Sequence, residues 1–143
     1  MTIAAILENN KGREIVSVAA DTLVREAVAL LAEKRIGAMP VIEGDRVVGI
    51  VSERDVIYCL KSDGAAILDW PVSRIMTAPA ITIERAVSAL AALSQMTRRR
   101  IRHLPVVEGD RLVGIVSIGD LVAHRINRIE EEAEAMRAYI QSA

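Results

Sequence analysis

Pro40-Val-Ile-Glu-Gly-Asp-Arg-Val-Val-Gly-Ile-Val-Ser-Glu-Arg-Asp55 returns 65 positions later as Pro105-Val-Val-Glu-Gly-Asp-Arg-Leu-Val-Gly-Ile-Val-Ser-Ile-Gly-Asp120, with twelve of the sixteen residues identical. A period this long exceeds the about 20 to 50 residues of solenoid and propeller repeats, so each copy holds several secondary elements and two copies nearly fill the chain. Two related halves that face one another enclose one cleft with two related pockets. The function is to be sought in that cleft.

Working outward from the repeated stretch, Met39 to Ile42 and Arg46 to Val51 are β-branched runs joined through Gly44-Asp45, the composition of a tight hairpin. Before them, Glu14 to Val18 reads as a short strand. Asp21 is placed to cap a helix with apolar positions Leu23, Ala27, Leu30 and Leu31, which ends near Arg35. A second helix begins after Ser52 and runs to about Lys61. The order is β-α-β-β-α. The second copy repeats it with a strand at Ala80 to Ile83, a helix at Val87 to Arg99, a hairpin around Gly109-Asp110 and a final helix from Gly119. Ala86 stands where Asp21 stood, so this reading leaves the second copy's first helix without that cap.

The stretch Ser62 to Ala66 carries turn residues, and Trp70-Pro71 restarts the chain into a short helix ending near Met76. Residues 1–65 and 66–143 are the expected halves. A three-stranded half cannot cover its own sheet, and bringing the two sheets together solves that for both.

The chain has 143 residues, enough for one domain with a sizeable core. Its apolar share is 52% but aromatics make up only 2%, so a planar ligand would meet aliphatic walls. Eighteen basic residues against nineteen acidic ones give a net charge of -1, which lacks the positive field of a duplex-binding protein. The single cysteine, Cys59, has no internal disulfide partner, and no metal-ligand spacing occurs. Neither a leader with a basic start nor an apolar run of spanning length is present, which leads us to expect a soluble cytoplasmic protein with no membrane association. No nucleophile elbow or catalytic acid pair is recognisable, and an enzyme is not expected.

Gly-Ile-Val-Ser-x-x-Asp, at Gly49 to Asp55 and Gly114 to Asp120, is the clearest site signal. A strand there runs into a helix whose first N–H groups suit a phosphate, and an aspartate on the first turn can accept both hydroxyls of a ribose. The same spacing is also that of a capping box, in which Ser52 with Asp55, and Ser117 with Asp120, satisfy the helix start and need no ligand. A second signal is Thr97-Arg-Arg-Arg-Ile-Arg-His-Leu-Pro105. Most of its arginines suit the negative end of a helix dipole, whereas Arg102 and His103 follow the helix and are placed to meet a phosphate. In the first copy the matching place is Gly37-Ala38, and Arg54 stands where the second has Gly119. The two pockets are therefore expected to differ, with a basic wall in the second and Arg54 in the first.

In the last helix, Val122, Ile126, Ile129, Ala133, Met136 and Ile140 step by four and three, a narrow apolar seam. Two readings stand side by side: packing on Ile3, Ile6 and Leu7 of the same chain, or contact with a twin helix in a homodimer.

Arg35-Ile-Gly-Ala-Met-Pro-Val41 and Arg100-Ile-Arg-His-Leu-Pro-Val106, each followed by Glu-Gly-Asp-Arg, Gly-Ile-Val-Ser and the closing aspartate, resemble a tandem pair of cystathionine β-synthase (CBS) domains, or Bateman module, over roughly Ile15 to Arg125. The resemblance implies an α+β fold of two β-α-β-β-α repeats packed sheet to sheet with pseudo-twofold symmetry, here with an N-terminal helical segment and a long C-terminal helix. It also implies an adenosine ligand in the cleft: AMP, ADP, ATP, NAD(H) or S-adenosylmethionine. By position, Asp55 and Asp120 would hold ribose, Ser52 and Ser117 would face phosphate or ribose, and Ile36, Ala38 and Ile101 would line adenine. Backbone near Val16 and Ala80 would read the base edge, while Arg102, His103 and Arg54 would meet phosphate. The expected function is a stand-alone regulatory module, a homodimer signalling to a separate protein partner. The alternatives are a structural dimerisation unit without ligand and a nucleic-acid binder acting through Arg98 to Arg102, the latter disfavoured by net charge.

Overall fold

The computed structural model describes residues 1–142. Its elements are α1 (Ile3–Asn9), β1 (Val18–Ala19), α2 (Val24–Lys34), β2 (Ala38–Glu43), β3 (Arg46–Ser52), α3 (Glu53–Asp63), two 3₁₀ segments (Gly64–Asp69 and Val72–Arg74), β4 (Ile83–Glu84), α4 (Ala89–Arg99), β5 (His103–Glu108), β6 (Arg111–Ser117) and α5 (Ile118–Ser142). The expected β-α-β-β-α order is present twice. Both opening strands are shorter and later than their β-branched sequence predicts, because only Val18 and Ala19, and Ile83 and Glu84, reach the ladder.

In each half the first strand pairs parallel to the second, across a helical crossover, and the second pairs antiparallel to the third through the Gly44-Asp45 or Gly109-Asp110 turn. Gly44 and Gly109 take φ of 64° and 66°, backbone that a side chain resists and glycine accepts. The strand order β1-β2-β3-β6-β5-β4 is palindromic, as a pseudo-twofold relation between repeats requires. The two three-stranded halves join edge to edge at β3 and β6 into one six-stranded sheet, where Arg46 pairs with Arg111 and the Leu112 N–H donates to the Asp45 carbonyl at 3.2 Å.

Two separate cores form, and the packing crosses the 65/66 division of the chain. Val24, Ala27, Met39, Val41 and Val51 of the first half are buried with Ile67, Val72 and Ile75 of the connecting stretch. Leu104, Val106, Val116 and Leu121 of the second are buried with Ile3 and Ile6 from α1. Each repeat is closed by a segment lying before the other. Ile3 and Ile67 are fully buried ties of this kind, and truncating such a side chain to alanine typically costs about 2 to 5 kcal/mol.

These crossing segments also start the helices. The first N–H of α2, on Val24, donates to the Trp70 carbonyl at 2.8 Å, and that of α4, on Ala89, donates to the Met1 carbonyl at 3.0 Å. Asp21 is not the cap of α2, because the helix starts at Val24 rather than directly after Asp21. The cap position is Leu23, without a side-chain bond, and Leu23 is exposed rather than part of the apolar face. The second copy, expected to have lost the aspartate cap, is capped instead by Ser88, whose hydroxyl accepts from the Ala91 N–H at 3.1 Å.

The seam on α5 does not pack on α1. Leu121 at its base is buried with Ile3 and Ile6, whereas Val122, Ile126, Ile129, Met136 and Ile140 are exposed. Among the described residues no helix is long and apolar enough to cross a membrane.

Candidate functional site

Both Ser-x-x-Asp sequences form caps, and both carboxylates keep one oxygen for something else. In α3 the Ser52 N–H donates to Asp55 Oδ2 at 2.9 Å, and the Asp55 N–H donates to the Ser52 hydroxyl at 3.2 Å. In α5 the Ser117 N–H donates to Asp120 Oδ2 at 3.0 Å, and the Asp120 N–H to the Ser117 hydroxyl at 3.1 Å. Oδ1 of Asp55 accepts from the Thr77 hydroxyl at 3.1 Å, and Oδ1 of Asp120 from Arg13 Nη1 at 2.9 Å. Capping and contact with the opposite repeat's lead-in segment are thus divided between the two oxygens of each acid.

Each carboxylate lines a cavity. The larger, about 540 Å³, contains Ser117 and Asp120 together with Val16, Ile36, Ala38 and His103. The smaller, about 330 Å³, contains Ser52, Arg54 and Asp55 together with Ala80, Ile101 and Arg102, and again Ala38 and His103. Both volumes fall in the range of about 300 to 1,000 Å³ usual for small-molecule sites. Every candidate residue named from sequence lies on one of these two walls. In each cavity the acid comes from one repeat and most of the aliphatic wall from the other.

The distribution of charge departs from expectation. Arg54 and Arg102, expected in different pockets, line the same one, because the start of α3 faces the approach to β5 across the interface. Of the arginine run, Arg100 and Arg102 line this cavity, while Arg98 and Arg99 belong to the last turn of α4. His103 is common to both cavities and stands against Gly37: a Cβ built on Gly37 would lie 3.5 Å from His103 Cε1. Burial pushes the His103 imidazole below its ordinary range. Asp120 pulls it back up, Arg102 pushes it further down, and Glu53 again raises it. Burial raises the Asp120 carboxyl, but the Ser117 N–H, the Arg13 guanidinium and the Ser117 hydroxyl together hold it below the usual carboxylate value.

Sequence reasoning missed Arg13 and Thr77. Both lie on segments leading into a repeat, without periodicity or a motif, and each reaches an acid far along the chain. Their only sequence signal is that they stand at nearly matching places before the two copies. Among the described residues no group of three histidine, cysteine, aspartate or glutamate side chains could hold a metal ion. The arrangement offers two aliphatic slots, each with one carboxylate oxygen not used in the cap and cationic groups nearby. A ligand with a planar apolar part, a diol and an anionic group fits that chemistry.

The CBS domain family matches the chain twice, at residues 12–62 and 72–127. This chain belongs to the CBS domain family. Its fold is shared by a protein with CBS domains from Burkholderia ambifaria, 40% identical, with a TM-score of 0.81 over 89% of this chain and 95% of that one. A CBS domain protein from Pyrobaculum aerophilum, solved in complex with AMP, is 30% identical, with a TM-score of 0.74 over 84% of this chain and 89% of its own. The CBS domain-containing protein CBSX3, mitochondrial, of Arabidopsis thaliana is 34% identical over 126 residues, 85% of this chain. The chain spans 61% of the length of that plant relative.

Proposed function

We propose that this CBS pair is a regulatory module that binds an adenine nucleotide, AMP foremost, between its repeats and passes the change in its shape to a separate protein. One observation carries the reading: each helix-start carboxylate uses Oδ2 for its cap and Oδ1 for a residue that lines the same aliphatic-walled cavity. In that site Asp55 and Asp120 hold ribose hydroxyls through Oδ1. Ile36, Ala38 and Val16 in one cavity, and Ile101 and Ala80 in the other, take the adenine. Arg54, Arg102 and His103 answer the phosphate. The AMP complex of the 30% identical Pyrobaculum aerophilum protein supports the choice of ligand. Signalling requires the ligand to prefer one arrangement of the halves over another. The exposed α5 seam supports a homodimer as the working unit.

Thermal unfolding with AMP, ADP, ATP, NAD(H) and S-adenosylmethionine in turn tests the proposal. At about a hundred times its dissociation constant a ligand adds roughly 2.7 kcal/mol, a rise of roughly 5 to 10 °C for a chain near this size. AMP is expected to raise the transition, and the rise is expected to shrink in Asp55→Ala and Asp120→Ala. The completed capping boxes favour one competing reading, a ligand-free dimerisation unit. That reading prevails if no nucleotide moves the transition and the two variants lose stability to the same degree with and without it.

A further inference from the structure

We infer that Arg13 makes the Asp120 cavity selective for phosphorylated ligands; the inference rests on the nucleotide reading above. Arg13 belongs to the segment joining α1 to β1, and its guanidinium reaches Asp120 Oδ1 at 2.9 Å across 107 positions of sequence. Oδ2 of Asp120 is committed to the Ser117 N–H. The oxygen that Arg13 holds is therefore the one outside the cap, and a sugar diol that grips both oxygens of the acid competes with Arg13 for it. A ligand that takes this oxygen loosens or displaces the arginine.

What the ligand offers in exchange decides whether displacement is favourable. Arg13 is 67% exposed and Asp120 only 15%, so the guanidinium can swing outward while the acid stays fixed by its cap. A neutral nucleoside takes the carboxylate and leaves the guanidinium without an anion. A nucleoside phosphate returns one, in a form that suits the planar fork of arginine better than a single carboxylate oxygen does. The same cavity is lined by Arg35 and Arg85, and among the described residues neither stands within ion-pair distance of a carboxylate. Glu8 and Glu14 on the same wall are paired with Lys11 and Lys34, so the swing moves Arg13 within a wall whose remaining arginines are not offset by these carboxylates.

The other cavity lacks this exchange. There Asp55 Oδ1 is met by the neutral Thr77 hydroxyl, which can rotate away without leaving a charge unpaired. The two sites therefore differ in what a bound sugar displaces, a cation at Asp120 and a neutral hydroxyl at Asp55.

Isothermal calorimetry of AMP and of adenosine, on the intact chain and on Arg13→Gln and Arg13→Lys, tests the inference. Arg13 is an exposed loop residue, so both variants are expected to fold, and melting curves without ligand check this. In Arg13→Gln the preference for AMP over adenosine at the Asp120 cavity is expected to fall about tenfold, through weaker AMP and tighter adenosine, because a charge-assisted bond is lost on one side and a competitor on the other. Arg13→Lys is expected to keep most of the preference. A parallel series on an Asp55→Ala background isolates the cavity. An unchanged ratio in Arg13→Gln, with AMP still bound, overturns the role of Arg13 and leaves the nucleotide reading standing. Failure of both ligands to bind the unmodified chain overturns the nucleotide reading and this inference with it.

Discussion

The Thr77 hydroxyl donates to Asp55 Oδ1 at 3.1 Å, joining the lead-in of the second repeat to the helix start of the first. Beside it the Thr77 N–H donates to the Ile50 carbonyl at 2.8 Å, so backbone and side chain of one residue fix the connecting stretch to the mouth of a cavity. Removing the hydroxyl in Thr77→Val is expected to cost about 0.5 to 1.5 kcal/mol, the usual net value of one such bond. Combined with Asp55→Ala in a double-mutant cycle by urea unfolding, the two losses are expected to be less than additive. Full additivity would show that the bond contributes nothing.

Gly49 and Gly114 are equivalent in the repeat and unequal in their surroundings. A Cβ on Gly49 would lie 2.6 Å from Met76 Sδ and 2.9 Å from the Thr77 carbonyl oxygen, and that carbonyl is held by the Ile50 N–H at 3.0 Å. On Gly114 it would lie 2.7 Å from Leu7 Cδ2, the movable end of a side chain. Gly49→Ala is expected to lose about 1 to 3 kcal/mol through overpacking and Gly114→Ala clearly less. Equal losses in chemical denaturation would contradict the assignment of the backbone contact as the rigid one.

Acid is expected to destabilise the fold in two steps. Burial lowers the His103 imidazole against the opposing pull of Asp120 and Glu53, so the unfolded chain takes up that proton first as pH falls. The stability tied to neutral His103 is full above about pH 6.5 and is lost as pH falls through the lower folded value. Asp120 is also lowered on folding, and its contribution is full above about pH 3.9 and is lost below that. Urea midpoints measured against pH should lose the upper slope in His103→Gln and the lower one in Asp120→Asn. Unchanged profiles would refute these assignments.

Arg35 and Arg100 end α2 and α4 with φ of 53° and 55°, a left-handed turn that glycine adopts without penalty. Arg35→Gly and Arg100→Gly are each expected to stabilise the unliganded protein by up to about 1 kcal/mol. Both arginines line a cavity, so the same changes are expected to weaken AMP binding. Melting curves and calorimetry on one preparation read both effects. A variant that loses stability would show that the arginine side chains hold the helix ends.

The exposed seam of α5 is expected to join two copies of the chain. Ile129→Glu together with Met136→Glu should convert a dimer to a monomer in sedimentation equilibrium, since both positions are at least half exposed in the single chain. The AMP-induced thermal shift is expected to survive, because the cavities lie within one chain. A chain that is monomeric before the substitutions rules this seam out as the contact.

The duplicated string carried the element order and all the cavity residues that motifs could mark, because hairpin glycines, β-branched runs and Ser-x-x-Asp caps are local signals. What was illegible is what depends on crossing. Asp21 looks like a cap until the helix is seen to start at Val24, where the Trp70 carbonyl meets the first N–H. Arg13 and Thr77 have no local pattern and act only because their segments reach the opposite repeat. Arg54 and Arg102 were separated by repeat number although the interface joins them. The α5 seam was legible as apolar, and only the structure shows that α1 spends Ile3 and Ile6 elsewhere.

The exchange of closing segments has a mechanical outcome. Ile3 and Ile6 are anchored in one half and Val72 and Ile75 in the other, so the chain is laced across its own midline. A cut between the repeats would strip each piece of its stopper, and neither piece should fold unaided. The same lacing gives a bound molecule leverage: any hinge-like opening must tug on both straps together, and Arg13 and Thr77 are where those straps are fastened to the acids.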